Sequence, residues 1–500
     1  MSRVKRVRLF SVLFAALLAF LVAGCGGGGG APGGAAEVVP ADAAFYVVVD
    51  ADFEGDQWDA VQELASRFPG GEDLIGRIVQ EIESESGEAL DFEQDVDPAL
   101  GPEVAFVVLA PEPNSDDDGT VVVLTQPDDE AALQRLIEKG DEPAVSRAVE
   151  DWQAISDDDA ALDRYEAALE GGRLADSERF EDAMDGLDED VLVSVYGDLQ
   201  RAQEAADVQS EGQPDPFDAF FPGDETPVFG GTARAEGDGA RLDGQLVYAG
   251  DVEDTPFSVE PYDAELPEQV PGDVLAFLSF NELERAISAY RDAIAESDPE
   301  FESQLGMAEG FLGVSLEEDI APLFAGEGAV YVRQGALIPE VTLVTEVEDE
   351  EQAVGTLDDV VAGIGAFVGT GQPESREVDG VEVREVPISP PFSLSYAAFD
   401  GLLVVTTSAD GIADLRADDD RLADDEAYQD ALDRAGVPGE TSGFAYVDLE
   451  ETLPLLFGFA EVGLGETSDA RQYTDPLTSL VVWGEQDGST QSFSAFVGIE

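Results

Sequence analysis

Arg173-Leu174-Ala175-Asp176-Ser177-Glu178-Arg179-Phe180-Glu181-Asp182-Ala183-Met184 returns without a gap as Arg421-Leu422-Ala423-Asp424-Asp425-Glu426-Ala427-Tyr428-Gln429-Asp430-Ala431-Leu432. Agreement in the arginine, acidic and apolar positions over that length marks an internal duplication, and a repeat determines architecture before any single element does. Upstream, Val39-Pro40-Ala41-Asp42 and the strand-like Ala43–Val49 recur as Val270-Pro271-Gly272-Asp273 and Val274–Phe280. Asp95-Val96-Asp97-Pro98-Ala99-Leu100 before Val104–Leu109 matches Asp319-Ile320-Ala321-Pro322-Leu323-Phe324 before Ala329–Val332.

The next block is a strand, Thr120–Thr125, and an acidic helix start at Asp128-Asp129-Glu130 with Ala132, Leu133, Leu136 and Ile137 at helical spacing. Its copy is Val341–Thr345, Glu348-Asp349-Glu350, then Val354, Leu357, Val360 and Val361. Both copies run into a strand ending Tyr196-Gly197-Asp198-Leu199 or Tyr446-Val447-Asp448-Leu449, whose Asp is placed to cap a following helix. Each closes with a hairpin, around Gly237-Asp238-Gly239 in the first and Gln486-Asp487-Gly488 in the second. The second copy is about 28 residues longer between its Glu348 helix and Arg421 than the first is between Asp128 and Arg173. There Asp379-Gly380 and Asp400-Gly401 read as turns of additional strands.

The expected fold is therefore α+β: two homologous units, 37–249 and 268–500, joined by the linker 250–267. Trp58, Val61, Leu64, Ala65 and Phe68, and then Leu74, Ile75, Ile78 and Ile82, form one apolar stripe each. Such helices are expected on one face of a mostly antiparallel sheet in each unit. A cleft between the copies is the default place for a ligand.

The first residues carry an address. Arg3, Lys5, Arg6 and Arg8 precede the uncharged apolar run Leu9–Val22, which the glycines Gly26–Gly30 end. That run is shorter than the roughly 20 residues a spanning helix needs, so 1–24 reads as a signal peptide. Val22-Ala23-Gly24-Cys25 resembles the lipobox of bacterial lipoproteins, which implies cleavage between Gly24 and Cys25 and a diacylglyceryl thioether on Cys25. Two or more acyl chains hold a protein on a membrane where one holds it only marginally. Residues 25–36 then form a flexible tether, and the protein is expected lipid-anchored on the outer side of the cell membrane.

The composition excludes whole classes of chemistry. The chain of 500 residues has 111 acidic against 24 basic residues, one cysteine and no histidine, for a net charge of −87. Such a surface repels nucleic acid and anionic lipid and favours cations or a basic protein partner. With Cys25 lipidated and no histidine, thiolate and imidazole catalysis and Cys- or His-ligated metal sites are absent. Neither lysine, Lys5 or Lys139, follows a glycine-rich phosphate loop, and no cofactor motif is present.

The lipobox and glycine tether, the Val-Pro-Ala-Asp strand, Gln57-Trp58 with Arg67-Phe68-Pro69-Gly70, the Leu-Ala-Asp block and the Tyr-x-Asp-Leu strand together resemble the bacterial domain-of-unknown-function 3352 family. The resemblance implies an exported protein of no assigned activity, and its motifs are structural punctuation. Residues 140–172 depart from the fuller pattern of the second copy.

Few residues compete as a site. Asp50-Ala51-Asp52-Phe53-Glu54-Gly55 matches the opening of a calcium loop, with Asp50, Asp52 and Glu54 as weak ligand candidates, but Val61 stands where a bidentate Glu belongs. A strand end and turn before the Trp58 helix explains the same residues. Close carboxylates such as Asp157-Asp158-Asp159 and Asp418-Asp419-Asp420 are unavoidable in so acidic a chain, which weakens a glycoside-hydrolase reading. Gly363-Ile364-Gly365 lies within a helical pattern and misses dinucleotide spacing. Clustered apolar residues at Pro214–Pro222 and Pro390-Pro391-Phe392 suit either a binding patch or a sheet-edge plug. The expectation is a non-enzymatic acidic envelope lipoprotein that binds or builds, with a calcium-dependent binder and a carboxylate-based hydrolase as alternatives.

Overall fold

The computed structural model describes residues 34–77, 79–80, 90–111, 119–139, 143–207, 226–250, 258–297, 301–335, 338–368, 373–389, 392–417, 420–464 and 471–500. In the first copy the strands are β1 (Ala43–Asp50), β2 (Glu103–Leu109), β3 (Thr120–Thr125), β4 (Val145–Val149), β5 (Trp152–Ser156), β6 (Val193–Asp198), β7 (Val228–Glu236) and β8 (Gly239–Val247). Those of the second are β9 (Val274–Phe280), β10 (Gly328–Arg333), β11 (Glu340–Glu346), β12 (Glu374–Val378), β13 (Val381–Ser389), β14 (Phe392–Phe399), β15 (Leu402–Thr406), β16 (Gly443–Asp448), β17 (Leu477–Asp487) and β18 (Thr490–Ile499). The main helices are α1 (Asp56–Ala65), α2 (Glu130–Lys139), α3 (Asp159–Leu169), α4 (Glu178–Met184) and α5 (Leu199–Asp207), then α6 (Leu283–Ser297), α7 (Phe301–Leu312), α8 (Glu350–Val368), α9 (Ala409–Arg416), α10 (Glu426–Ala435) and α11 (Leu449–Leu464).

All the strands belong to one 18-stranded sheet, and every neighbouring pair is antiparallel. From one edge to the middle the order is β4-β5-β3-β2-β1-β6-β7-β8. From the middle to the other edge it is β18-β17-β16-β9-β10-β11-β15-β14-β13-β12. Reversed, the second run repeats the first strand for strand and adds the hairpin β12–β13. The two runs meet where β8 pairs with β18, from Gly239 opposite Gly498 to Val247 opposite Thr490. At the midpoint Asp243 faces Ser494, whose hydroxyl donates to Asp243 Oδ1 at 2.7 Å. A local two-fold axis normal to the sheet passes between those residues, so the junction between the copies is a hydrogen-bonded ladder and not a cleft.

The longer second copy has a narrower explanation than two added turns. Asp379-Gly380, both with positive φ, closes the extra β12–β13 hairpin. Asp400-Gly401 also has the positive φ pair of a tight hairpin, but it joins β14 to β15, the counterpart of β4–β5 in the first copy. That first-copy hairpin turns at Glu150, which itself adopts φ 55°.

The repeated motifs meet in space. The Leu174 N–H donates to the Val39 carbonyl at 2.8 Å, and the Leu422 N–H to the Val270 carbonyl at 3.0 Å. Pro40 bridges Arg173 in one copy and Pro271 bridges Arg421 in the other. Leu174 and Leu422 are wholly buried beneath these clasps. Asp198 and Asp448 cap the helices after them, accepting from the Arg201 and Glu451 N–H groups at 3.2 and 2.9 Å.

Helices cover both faces of the sheet, where one covered face was expected. The reason lies in strands such as Val104–Leu109, apolar at successive positions, because successive side chains point to opposite faces and each apolar face must be covered. On the front, Val49, Val104, Phe106 and Val123 pack with Trp58, Val61 and Leu64 of α1 and Leu133 and Leu136 of α2. On the back, Tyr46, Val48, Ala105 and Val122 pack with Leu162 and Tyr165 of α3 and Phe180 of α4. Each such large apolar side chain contributes about 1.5–3 kcal/mol on burial. In the second copy Ala329, Tyr331, Val344 and Val404 meet α9 and α10 on the back. Ala35 and Ala36, placed in the tether by sequence, are fully buried in the turn Ala35–Val38 that opens the first back core.

The copies are tied beyond the ladder. Ile499 of β18 is buried in the front core of the first copy, and Arg67, after α1, donates to the carbonyls of Ile499 and Gly237. On the back, Arg241 donates to Glu236 at 2.8 Å and to the Ala435 carbonyl at 2.6 Å, lying over Trp483 and Phe496. A Cβ at Gly239 would stand 2.3 Å from the Val497 carbonyl oxygen and 2.5 Å from the Phe496 ring. Gly239→Ala is therefore expected to lower stability by about 2–3 kcal/mol in urea unfolding. Gly237→Ala, with nothing within 4 Å of its Cβ, should change it by less than about 0.5 kcal/mol. Equal effects would show that the β8–β18 ladder is not tightly packed.

Candidate functional site

Gly24 and Cys25 lie outside the described residues, as do Pro214–Pro222, Pro390, Pro391, Asp418 and Asp419. Asp50, Asp52 and Glu54 are described, and they form a turn. Asp50 Oδ1 accepts the Asp52 N–H at 2.6 Å, Asp52 Oδ1 accepts the Glu54 N–H at 3.3 Å, and the Gly55 N–H closes on the Asp52 carbonyl at 2.8 Å. Trp58 Nε1 donates to the Asp50 carbonyl at 3.4 Å, which fixes the start of α1 against the end of β1. Val61, the twelfth position of the would-be loop, is buried in the core. Among the described residues no group of three or more acidic side chains is arranged to hold a metal ion.

Burial pushes the Asp50 carboxyl up to about 7, against the pull of the Asp52 N–H and with the help of Asp52, Asp190 and Glu103 nearby. Other buried carboxylates serve the backbone. Glu103 opens β2 and accepts the Ala35 N–H at 3.0 Å. Its counterpart Glu327, just before β10, accepts the Glu265 and Leu266 N–H groups at 2.9 and 3.0 Å. Desolvation raises both carboxyls above the ordinary range, and those N–H groups hold them down. Sequence inspection missed this pair, although the equal spacing of Glu103 and Glu327 from their Pro98 and Pro322 turns was a usable signal. Asp158, in an acidic triplet, caps α3 through the Ala161 N–H at 2.9 Å.

Two features of the second copy remain unabsorbed by the scaffold. One is a cavity of about 820 Å³ between α8 and the turn Ala321–Phe324, lined by Glu284, Asp319, Glu346, Glu348, Asp349 and Asp400 among others. The other is the front of the sheet. Its buried core there is Leu323, Ala353 and Leu403, where the first copy assembles the α1 and α2 core. α7 has no buried residue, and none of the described side chains of α6 is buried. Leu278 on β9 is 48% exposed, whereas Val47, its counterpart in the Val-Pro-Ala-Asp register, packs on the first front core. Tyr290 on α6, Met307 on α7 and Ile364 on α8 are 41%, 66% and 47% exposed.

Local sequence explains how these helices stand. α8 is held to the sheet by Tyr396, whose hydroxyl donates to Asp358 Oδ1 at 2.6 Å. α7 lies on α8 where Gly363 meets Leu312, and a Cβ at Gly363 would come within 3.0 Å of that residue. The Gly363-Ile364-Gly365 stretch is thus a helix crossing. No helix among the described residues is long and apolar enough to cross a membrane.

An antiparallel sheet carrying helices on both faces, with its strand order repeated about a local axis, defines an α+β protein built by repetition. The chain belongs to the family described as protein of unknown function (DUF3352), which matches residues 7–156 and 135–498. No curated protein matches it. Among solved structures, crystal form IV of TP0453 is similar over 46% of this chain and 76% of that chain, with 15% identity and a TM-score of 0.24. Crystal form I of TP0453 covers 46% and 74%, with 13% identity and a TM-score of 0.22.

The raised Asp50 carboxyl has a measurable consequence. A carboxyl whose folded pKa exceeds its ordinary 3.8 stabilises the fold fully below that value and loses the contribution as pH rises through about 7. Melting temperature should fall between about pH 4.5 and about pH 7.5, and Asp50→Asn, which keeps the acceptor for the Asp52 N–H, should flatten that slope. An unchanged slope would remove Asp50 as its source.

Proposed function

We propose that the chain is a non-enzymatic lipoprotein of the cell envelope, anchored through Cys25 on the outer side of the membrane and acting by binding or as a structural component. The observation that carries this is Leu21-Val22-Ala23-Gly24-Cys25, set between an apolar run and five glycines and holding the only cysteine. Ala35 is already in the core, so no more than the eight residues 26–33 lie between the lipidated position and Gly34. Fully extended they reach at most about 29 Å. The absence of histidine and the engagement of buried carboxylates by backbone N–H groups favour binding over catalysis. In cells, Cys25→Ser should leave the precursor uncleaved and abolish incorporation of labelled palmitate. Palmitate labelling that survives the substitution would sink the reading.

A cation-dependent binder is the second reading: the carboxylates lining the cavity beside α8 would concentrate cations there, although among the described residues they form no preformed ligand set. A specific site stabilises the fold by RT ln(1 + [L]/Kd), about 2.7 kcal/mol at a hundredfold excess over Kd. Calcium should then raise the melting temperature beyond sodium at matched ionic strength, and Asp349→Asn with Asp400→Asn should erase the difference. Equal responses to the two salts would leave only general screening.

A further inference from the structure

The front of the second copy is an apolar surface in an acidic setting, and that combination selects its occupant. We propose that α6, α7 and α8 form a docking site for a basic amphipathic helix, whose apolar stripe rests on Tyr290, Met307 and Ile364. The inference deepens the binding role proposed above and rests on it for biological sense, although the site itself does not depend on Cys25.

The first argument is the comparison between copies. The two share strand order, the Leu174 and Leu422 clasps and the Glu103 and Glu327 tethers. Their fronts differ. α1 inserts Trp58, Val61 and Leu64 into a closed core, whereas α7, with Phe301, Leu305, Met307 and Leu312 in its sequence, buries nothing. A helix that is apolar without burial lacks the cover that normally stabilises it. Among the described residues no atom lies near a would-be Cβ at Gly306 or Gly310 on α7, so backbone there is open to close approach.

Charge then decides among possible covers. Arg285 and Arg291 are the only basic residues of α6–α8. Both are already engaged, Arg285 by Glu282 at 3.1 Å and Arg291 by Asp292 at 2.6 Å and by Glu317. Glu302 on α7 and Glu351 and Asp359 on α8 are exposed. A second copy of this chain would bring another net charge of −87 against the first, and an anionic bilayer would be repelled likewise. A helix with an apolar stripe flanked by lysine or arginine satisfies both halves of the surface, in the helix-in-groove mode of recognition.

The test uses residues 26–500, the chain without the proposed signal peptide and lipidated cysteine. The probe is a fluorescent leucine-lysine peptide with leucine at i, i+3, i+4 and i+7, against an isomer of scrambled order and equal charge. Saturable binding is expected for the first peptide, with about tenfold weaker binding of the scrambled one. Met307→Ser with Ile364→Ser should weaken the first peptide by about tenfold or more, while Val121→Ser, an exposed position on β3, should leave it unchanged. Because Met307 and Ile364 are exposed, the double variant should keep the parental melting temperature. Equal binding of the two peptides, or an affinity untouched by the double variant, would overturn the proposal. So would a dimer in sedimentation, or uptake by phosphatidylcholine vesicles, that the double variant abolishes. Loss of anchoring in Cys25→Ser bears on the envelope reading alone and leaves this outcome independent.

Discussion

The β8–β18 ladder is the interaction on which the rest of the structure depends. An antiparallel sheet built by duplication ends each copy in a long hairpin, and the outer strand of such a hairpin is an edge open to pairing with any chain. Here each copy's last strand pairs with the other's, and Asp243 and Ser494 meet at the axis. The pairing also carries side chains across. Ile499 enters the front core of the first copy, and Arg241 reaches the end of α10 in the second. The front core of the first copy is completed by strand residues of the second, so the repeat in strand order runs through one continuous sheet.

Once the sheet is continuous, the apolar character of both its faces sets the second constraint. Four layers of covering helix are required, two per copy, and three are closed. The back layers use α3 and α4, or α9 and α10, with their Leu-Ala-Asp turns clasped to the Val-Pro strands. The first front layer is closed by α1 and α2. The fourth, over β9–β11, β14 and β15, gathers a buried apolar cluster of just Leu323, Ala353 and Leu403 among the described residues. Duplication makes that asymmetry tolerable, because three closed layers and the shared ladder stabilise the sheet while the fourth stays largely open.

Much of this was legible in the sequence, and what was not has physical causes. The duplication, the hairpin turns and the capping Asp198 and Asp448 depend on local chemistry, and they read directly. The covering of both faces was encoded in Val104–Leu109 and Val121–Leu124, yet helix stripes alone do not say which face a helix takes. The β4–β5 hairpin escaped notice because Glu150 and Asp151 replace the Asp-Gly of the second copy, and positive φ at Glu150 is held by the ladder and not by its own preference. The partner of Glu103 could not be read because it is Ala35, remote in sequence, although the shared spacing of Glu103 and Glu327 from Pro98 and Pro322 marked the pair. Exposure of α7 could not be read at all. An apolar stripe has the same spacing whether its cover is the chain's own sheet or another molecule.

The charge imbalance links scaffold to recognition. Cations are scarce, and several are tied up within the chain: Arg147 spans Asp159, Asp163 and Glu166, Arg333 spans Asp273, Glu340 and Asp414, and Arg421 donates to the carbonyls of Gln269, Leu415 and Ala417. Arginines committed to such internal forks do little to offset the carboxylates that line the cavity beside α8 and stud α7 and α8. Acidic side chains consequently predominate on the surface of the second copy, and a charge imbalance of that kind acts on encounter rates and on the choice of partner more than on the strength of the final contact. Affinity must come from the apolar side chains. In the docking proposed above, the acidic surround and the uncovered front are complementary parts of one surface, the first selecting basic partners and the second retaining those with an apolar face.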